Sequence, residues 1–264
     1  MIKLENTDVY GFEAAVRGMR NPLNSCELSD SFECEHYEEF SDWCDVCEYE
    51  GCQMFKVIHT GFKDIHTGPN EYHIECTAEH KFVIGEKDLK LMHQLALAGD
   101  DHGKFARFIN VTVDITAPLY WWKEFDTYKV GTVSNSCSTM HKIHEKEFTT
   151  LDFSDEHLLN GRAYTDIYDQ DGRRISMAPS ELLGHIINYL NLYRKLYLRT
   201  KDKEYWWQMI QLLPSSYNQR RTMQFNYQVL NRIYNARKNH KLDEWHEVCA
   251  WIEKLPYFKE IYLD

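Results

Sequence analysis

Apolar residues recur along this chain with two different periods. From Arg107 to Thr116 the alternation is strict: Ile109, Val111, Val113 and Ile115 are apolar, while Asn110, Thr112, Asp114 and Thr116 are polar. A strand turns successive side chains to opposite faces, so this pattern predicts a strand with one buried and one polar face. Pro118 closes it. Helical spacing dominates elsewhere. Residues 1–25 predict a short helix, with Phe12, Ala15, Val16 and Met19 on one face. Asn21-Pro22 stops it, because proline disfavours the helical conformation in the residue before it. A second helix is expected from Asp88, with Leu89, Met92, Leu95 and Ala96 as its apolar face and Gly99 as its stop. Residues 119–130 are aromatic and amphipathic, which predicts a helix. Thr132 to His141 is small and polar, suited to a loop that approaches a ligand.

The second half predicts mainly helices. Ser180 is the expected cap of one in which Leu183, Ile187, Leu190, Tyr193 and Tyr197 keep a stripe. Asp202 starts a shorter one, and Pro214 and Asp243 open the last two. The stretch after Leu213-Pro214 holds Tyr217, Thr222, Asn226 and Arg237. Polar residues on nearly every face are odd for plain packing, so it reads as a helix lining a polar pocket. No internal repeat and no low-complexity linker interrupts the chain. The expected class is α+β, helices around an antiparallel sheet, as one domain over residues 1–264.

Composition narrows the function classes. The 264 residues are 43% hydrophobic, enough for a sizeable core. No apolar run reaches the length of a membrane span, and no signal peptide is visible, so a cytoplasmic location is expected. A net charge of -11 argues against broad electrostatic binding of nucleic acid. A small anion in a local basic pocket stays open.

Residues 26–84 are acidic and rich in Cys and His, and read as an irregular insertion. Cys44 and Cys47 form a C-x-x-C, with Cys26, Cys34, Cys52, Cys76 and several histidines nearby. Such a pair supplies two of the four ligands of a tetrahedral zinc site. The second pair has no standard spacing, so free thiols are the alternative. Cys137 reads as a small buried residue without a paired base. The aromatics Tyr120, Trp121, Trp122, Phe125 and Tyr128 suit core packing first and ring stacking second.

Two blocks carry a resemblance. Leu213-Pro214, Tyr217, Thr222, Asn226 and Arg237 lie at the offsets found in the flavin-dependent thymidylate synthases, and the run from Asp88 to His141 is similar in outline. The resemblance implies an α+β fold, FAD as cofactor and a homotetramer with active sites at subunit interfaces. It implies that Asn226 contacts the flavin and that Arg237 contacts and activates the pyrimidine. It places His102 and Asn135 near the cofactor. Asn226 and Arg237, eleven residues apart, would share a helix face about 16 Å apart.

The chain departs from the family signature R-H-R-x-x-S-x-N-E-x-S-x-R-Y. Without gaps from Pro118, its His falls on Tyr128 and its second Arg on Lys129. A shift by one places Asn135 on the Asn and Ser138 on the later Ser. The signature arginines are missing in both registers, and a further phosphate-binding arginine is Ile210. Lys129, Ser138, Arg220 and Arg221 are the expected substrate contacts in their place. The implied reaction methylates a deoxyuridine nucleotide at C5, with methylenetetrahydrofolate as carbon donor and NADPH as reductant. The alternatives are flavin-dependent modification of another pyrimidine nucleotide, and a relative that binds a nucleotide without catalysis.

Overall fold

The computed structural model describes residues 2–33, 55–59, 72–76, 82–160, 168, 170–173 and 177–263. Its first half runs β1 (Lys3–Tyr10), α1 (Phe12–Arg20), β2 (Phe32–Glu33), β3 (Phe55–His59), β4 (Tyr72–Cys76), β5 (Phe82–Val83), α2 (Glu86–Leu97), β6 (Asn110–Pro118), α3 (Leu119–Phe125) and β7 (Val133–Ser136). The second half adds α4 (Pro179–Thr200), α5 (Lys203–Leu212), β8 (Asn218–Asn226), α6 (Tyr227–Arg237), α7 (Asp243–Ile252) and α8 (Phe258–Tyr262). They divide into two compact units, Met1–Val9 with Asn110–Glu253, and Tyr10–Ile109 with Lys254–Asp264.

The first unit is built on a four-stranded sheet in the order β1-β6-β8-β7. β6 pairs antiparallel with β8 from Asn110↔Asn226 to Pro118↔Asn218, and β7 pairs antiparallel with β8. The predicted alternation of β6 is present: Val111, Val113, Ile115 and Ala117 are buried, and the polar residues between them are not. Met223 and Phe225 of β8 are buried on the same side. The packed aromatics of α3 and α7 follow, with Trp121 against Trp245 at 4.7 Å and Phe125 against Phe225 at 5.8 Å between ring centres. Core packing is therefore the role of Trp121, Trp122 and Phe125, all buried. Beside this, α4 and α5 contribute Leu183, Ile187, Leu190 and Met209 to a cluster with Ile143, Phe148 and Phe153.

Three expectations fail in this unit. The stretch after Leu213-Pro214 is not one helix. Tyr217 makes a bridge with Phe153, residues 218–226 are β8, and helix begins only at Tyr227. The LP segment instead closes the start of α3: the carbonyls of Ser215 and Tyr217 accept from the amides of Tyr120 and Leu119 at 3.0 Å. Those are two of the donors that a helix start leaves unpaired. The supposed ligand loop after Thr132 holds β7, an exposed strand beside β8. Ser180 is not the cap of α4: Pro179 is its first residue, and the Glu181 side chain accepts from the Ala178 amide at 3.0 Å. Asp202 does cap α5, accepting from the Glu204 amide at 2.9 Å.

In the second unit, the helix predicted within residues 1–25 is α1, entered from β1 through Gly11 at φ +98. A Cβ at Gly11 would overlap the Phe108 carbonyl, so this turn requires glycine. Asp88 is fully buried and accepts from Arg20, Ser29 and Ser31. Burial pushes its carboxyl up, but these bonds and the Arg20 charge outweigh that and hold it below its ordinary value. Asp30 caps α2 through the amides of Lys87 and Asp88.

Within residues 26–84, the described part is more regular than expected: β2 pairs with β5, and β3 with β4, both antiparallel. Cys44 and Cys47 lie outside the described residues. Among the described residues, no group of three or more His, Cys, Asp or Glu side chains is placed to hold a metal ion. Cys137 is exposed, not buried as its small apolar character suggested.

Candidate functional site

β8 carries the polar chemistry of the first unit, and its pleat sorts it onto two faces. Arg220 and Thr222 share one face with Asp114, their neighbour on β6. Asp114 accepts from Thr222 at 2.5 Å, from Arg220 at 2.5 Å and from Asn6 at 2.8 Å. The Thr222 hydroxyl does most to lower the Asp114 pKa, followed by Asn6 and Arg220, and together they bring it to about 2. Asn135 pairs with Thr222 from the other side, so it stands at the edge of this polar face.

Arg221 goes to the opposite face. Its guanidinium lies 4.1 Å from the centre of the Trp122 ring and donates to Asp126 at 2.6 Å and Gln219 at 3.1 Å. Neighbouring in sequence, Arg220 and Arg221 thus serve separate carboxylates.

Arg237 sits in the last turn of α6, where a cation is favoured by the helix dipole. Its Nε donates to the Tyr128 hydroxyl at 2.8 Å and its Nη1 to Glu124 at 3.0 Å. Its guanidinium lies 4.7 Å from the Trp245 ring centre and 5.4 Å from that of Tyr128. Glu124 also accepts from the Trp245 indole at 3.1 Å, and His240 Nε2 lies 3.2 Å from the same oxygen. The Nη2 nitrogen of Arg237 makes no bond among the described residues. The fork is thus fixed on one edge and open on the other.

Asn226 is the N-cap of α6: its side-chain oxygen accepts from the Val229 amide at 3.0 Å. That explains an asparagine here without a ligand, while its Nδ2 remains a donor. Gly131, at φ +75, brings its loop against this end of α6. Lys129 is exposed and has no ion-pair partner among the described residues. Ser138 is exposed and accepts from the His141 amide at 2.9 Å. His102 belongs to the second unit, exposed at the start of a short 3-10 turn.

The structure therefore joins Arg237 to Tyr128, next to Lys129, and joins Arg220 to Thr222 and Asn135. Sequence reasoning missed Asp114, Glu124 and His240 as partners. A second polar pair, also unforeseen, is Tyr120 donating to the buried Glu244. Burial, then Glu244 itself, pushes the Tyr120 phenol above its usual range. Glu244 lines a surface cleft with Glu156, His157, Asp243 and Glu247.

No protein-family model matches this chain, and no curated protein does. Solved structures do. The thymidylate synthase X of Helicobacter pylori, crystallised with FAD and dUMP, superposes with a TM-score of 0.54 at 14% identity. The match covers 98% of this chain and 96% of that one. A second structure of the Helicobacter pylori enzyme with the same two ligands gives 0.55 at 15% identity, with the same coverage. What the chain shares with thymidylate synthase X is its fold, helices packed around an antiparallel sheet, over nearly its full length.

Proposed function

We propose that this protein binds a flavin and a pyrimidine nucleotide in the manner of thymidylate synthase X, as FAD and a deoxyuridine nucleotide. The observation that carries this reading is the Arg237 fork. Tyr128 and Glu124 hold its Nε and Nη1, so Nη2 presents donors without a further ordering cost. A neutral carbonyl on a pyrimidine ring suits such a donor, because Glu124 already balances the guanidinium charge.

The residues fit the two ligands unequally. Asn226 retains Nδ2 as a donor for a flavin acceptor, with its oxygen engaged in the cap. Asn135, exposed on β7, is the further cofactor contact proposed within the first unit, and His102, exposed in the second unit, is proposed separately, from the resemblance alone. For the phosphate, Arg220 and Arg221 already serve Asp114 and Asp126. Lys129 is the cation left to meet it, with Ser138 as a hydroxyl donor. When bound, the flavin would supply the redox chemistry, with NADPH as reductant and methylenetetrahydrofolate as carbon donor. The chain itself would orient the pyrimidine through Arg237. A homotetramer and a cytoplasmic setting belong to the same reading, as does a single domain over residues 1–264 with 26–84 as its insertion. A zinc ion on Cys44 and Cys47 is a separate proposal, tested by elemental analysis.

A second reading follows from the engaged arginines. A phosphate site that lacks one charge-assisted hydrogen bond binds more weakly by roughly 1.5–3 kcal/mol. The protein would then bind a pyrimidine nucleotide weakly, modify a different one, or bind without catalysis. Titration of the purified protein with FAD, followed by flavin absorbance and fluorescence quenching, tests the first reading. Saturable binding supports it, and an unchanged spectrum at high micromolar FAD refutes it. A dUMP titration and an assay for dTMP then separate the two readings.

A further inference from the structure

The first turns of α7 hold a carboxylate whose charge nothing balances. Asp243 and Glu244 each stand about one turn from Glu247. Like charges at that spacing repel along a helix. The helix dipole favours acidic residues in a first turn, but an exposed side chain satisfies it as well as a buried one. Glu244 is only 7% exposed. Tyr120, whose amide is fixed on the Ser215 carbonyl at 3.0 Å, donates its hydroxyl to Oε1 of Glu244. Oε2 accepts no bond among the described residues. It is not sealed in the core either, so it opens on the cleft that Glu244 lines with Glu156, His157, Asp243 and Glu247. The two nearby histidines both turn to Asp243, His157 Nε2 at 3.3 Å and His246 Nδ1 at 3.8 Å. Among the described residues neither Glu244 nor Glu247 has a cationic partner. A buried carboxylate left without one is costly.

We propose that this cleft binds a primary ammonium group on an aliphatic stem, held by Glu244 at the floor and by the exposed Glu156 and Glu247 at the rim. The cleft holds about 200 Å³, many times the room of one water or one bare ion. No metal-holding group of His, Cys, Asp or Glu is found among the described residues. Both observations favour an organic cation. The bond from Tyr120 chooses its head group. A guanidinium binds a carboxylate best by two parallel bonds, one to each oxygen, and Tyr120 has taken one of them. An ammonium is a compact charge with three donors, and it needs only one oxygen from each of several carboxylates. The cleft shares no lining residue with the contacts of Arg237, so the inference does not depend on the nucleotide reading.

The test is calorimetric titration of the full chain at physiological ionic strength. The probes are putrescine, arcaine (the same stem with both ammonium groups replaced by guanidinium) and a lysine blocked at both backbone ends. Putrescine should bind saturably and arcaine several times more weakly. Glu244→Gln still accepts from the Tyr120 hydroxyl, and should weaken putrescine binding about tenfold. Glu247→Gln should weaken it severalfold. Without ligand, Glu244→Gln should melt no lower than the wild type, because it removes an uncompensated buried charge. Putrescine should raise the melting temperature of the wild type and not that of the variant. Flavin titration should be unchanged in both variants. Blocked lysine binding as well as putrescine supports the site and makes a protein side chain the source of the ammonium. Putrescine binding alone supports it with a free diamine as the source. If Glu244→Gln does not fold, Glu156→Gln with Glu247→Gln gives the same readout. No saturable binding of either ammonium probe at millimolar concentration overturns the proposal. So does undiminished binding by folded Glu244→Gln, which would mean diffuse charge only, and so does tighter binding of arcaine than of putrescine.

Discussion

Oε2 of Glu124 lies 3.0 Å from Nη1 of Arg237, and the same oxygen accepts from the indole of Trp245. The carboxylate thus ties the end of α3 to α6 and α7. Arg237 is consequently both a packing residue and the proposed ligand contact. Arg237→Ala should lower stability by about 1–3 kcal/mol, since it leaves Glu124 and Tyr128 without their partner. Glu124→Gln should cost about 1 kcal/mol, because the pair is partly solvated. Nucleotide affinity separates the roles. Glu124→Gln keeps the guanidinium and should alter binding less than Arg237→Ala does. Equal melting losses with no change in affinity for either variant would make Arg237 purely structural.

Asn226 allows a cleaner division. Asn226→Ala should cost about 1 kcal/mol by removing the cap of α6. Asn226→Asp still caps and should restore that stability, yet it presents no amide donor to a flavin. The expected pattern is full stability and weakened FAD binding for Asn226→Asp, read by thermal melting and flavin titration. Undiminished FAD binding by Asn226→Asp would confine this residue to the cap.

Asp114 makes stability depend on acid. Its pKa in the fold is about 2, against an ordinary 3.8. A depressed carboxyl stabilises the fold above its unfolded value and loses that contribution as pH falls through the folded one. The network with Thr222, Asn6 and Arg220 should therefore be intact above about pH 4 and fail between about pH 4 and 2. Asp114→Asn should flatten this part of the acid-unfolding curve. A variant with the wild-type slope there would mean that the network does not couple to folding.

Cysteine reactivity should follow burial. Burial, with the nearby Glu253, pushes the Cys249 thiol up to about 11. Its thiolate is then scarce at neutral pH, and thiolate is the reactive form. Alkylation followed by peptide mass mapping should label exposed Cys26 and Cys137 in the native protein and Cys249 only after unfolding. Native labelling of Cys249 at the rate of Cys137 would contradict its placement.

The legible and illegible parts of this chain differ in how local their causes are. β6 was visible because Val111, Val113 and Ile115 are buried on one face and separated by polar residues. Its partner β8 reads NQRRTMQFN, where Arg221 takes a place on the buried side and Gln219, Arg220, Met223 and Gln224 favour helix over strand. Only pairing along its whole length with β6 makes it a strand, and that pairing is not written in its own residues. β1 was hidden for a related reason: most of its residues are exposed, so no alternation marks it. Read from the sequence, Asn226 lies within a helix; it ends β8 and caps α6 instead, and a cap is a place where asparagine is favoured. The Arg237 cluster was half legible. Arg237 and Tyr128 stood out by offset, but Glu124 and His240 join them only through the packing of α3 beside α6 and α7.

The two consecutive arginines of β8 act as a ruler for the sheet. Because Arg220 answers to Asp114 above it and Arg221 to Asp126 below, sliding β8 by one residue would invert both at once. Each cation would then face the wrong layer, one toward the indoles and the other toward water, and neither carboxylate could follow. Deleting or inserting a single residue between Tyr217 and Asn226 should accordingly abolish folding, while length changes in the exposed turn around Gly172 should be tolerated.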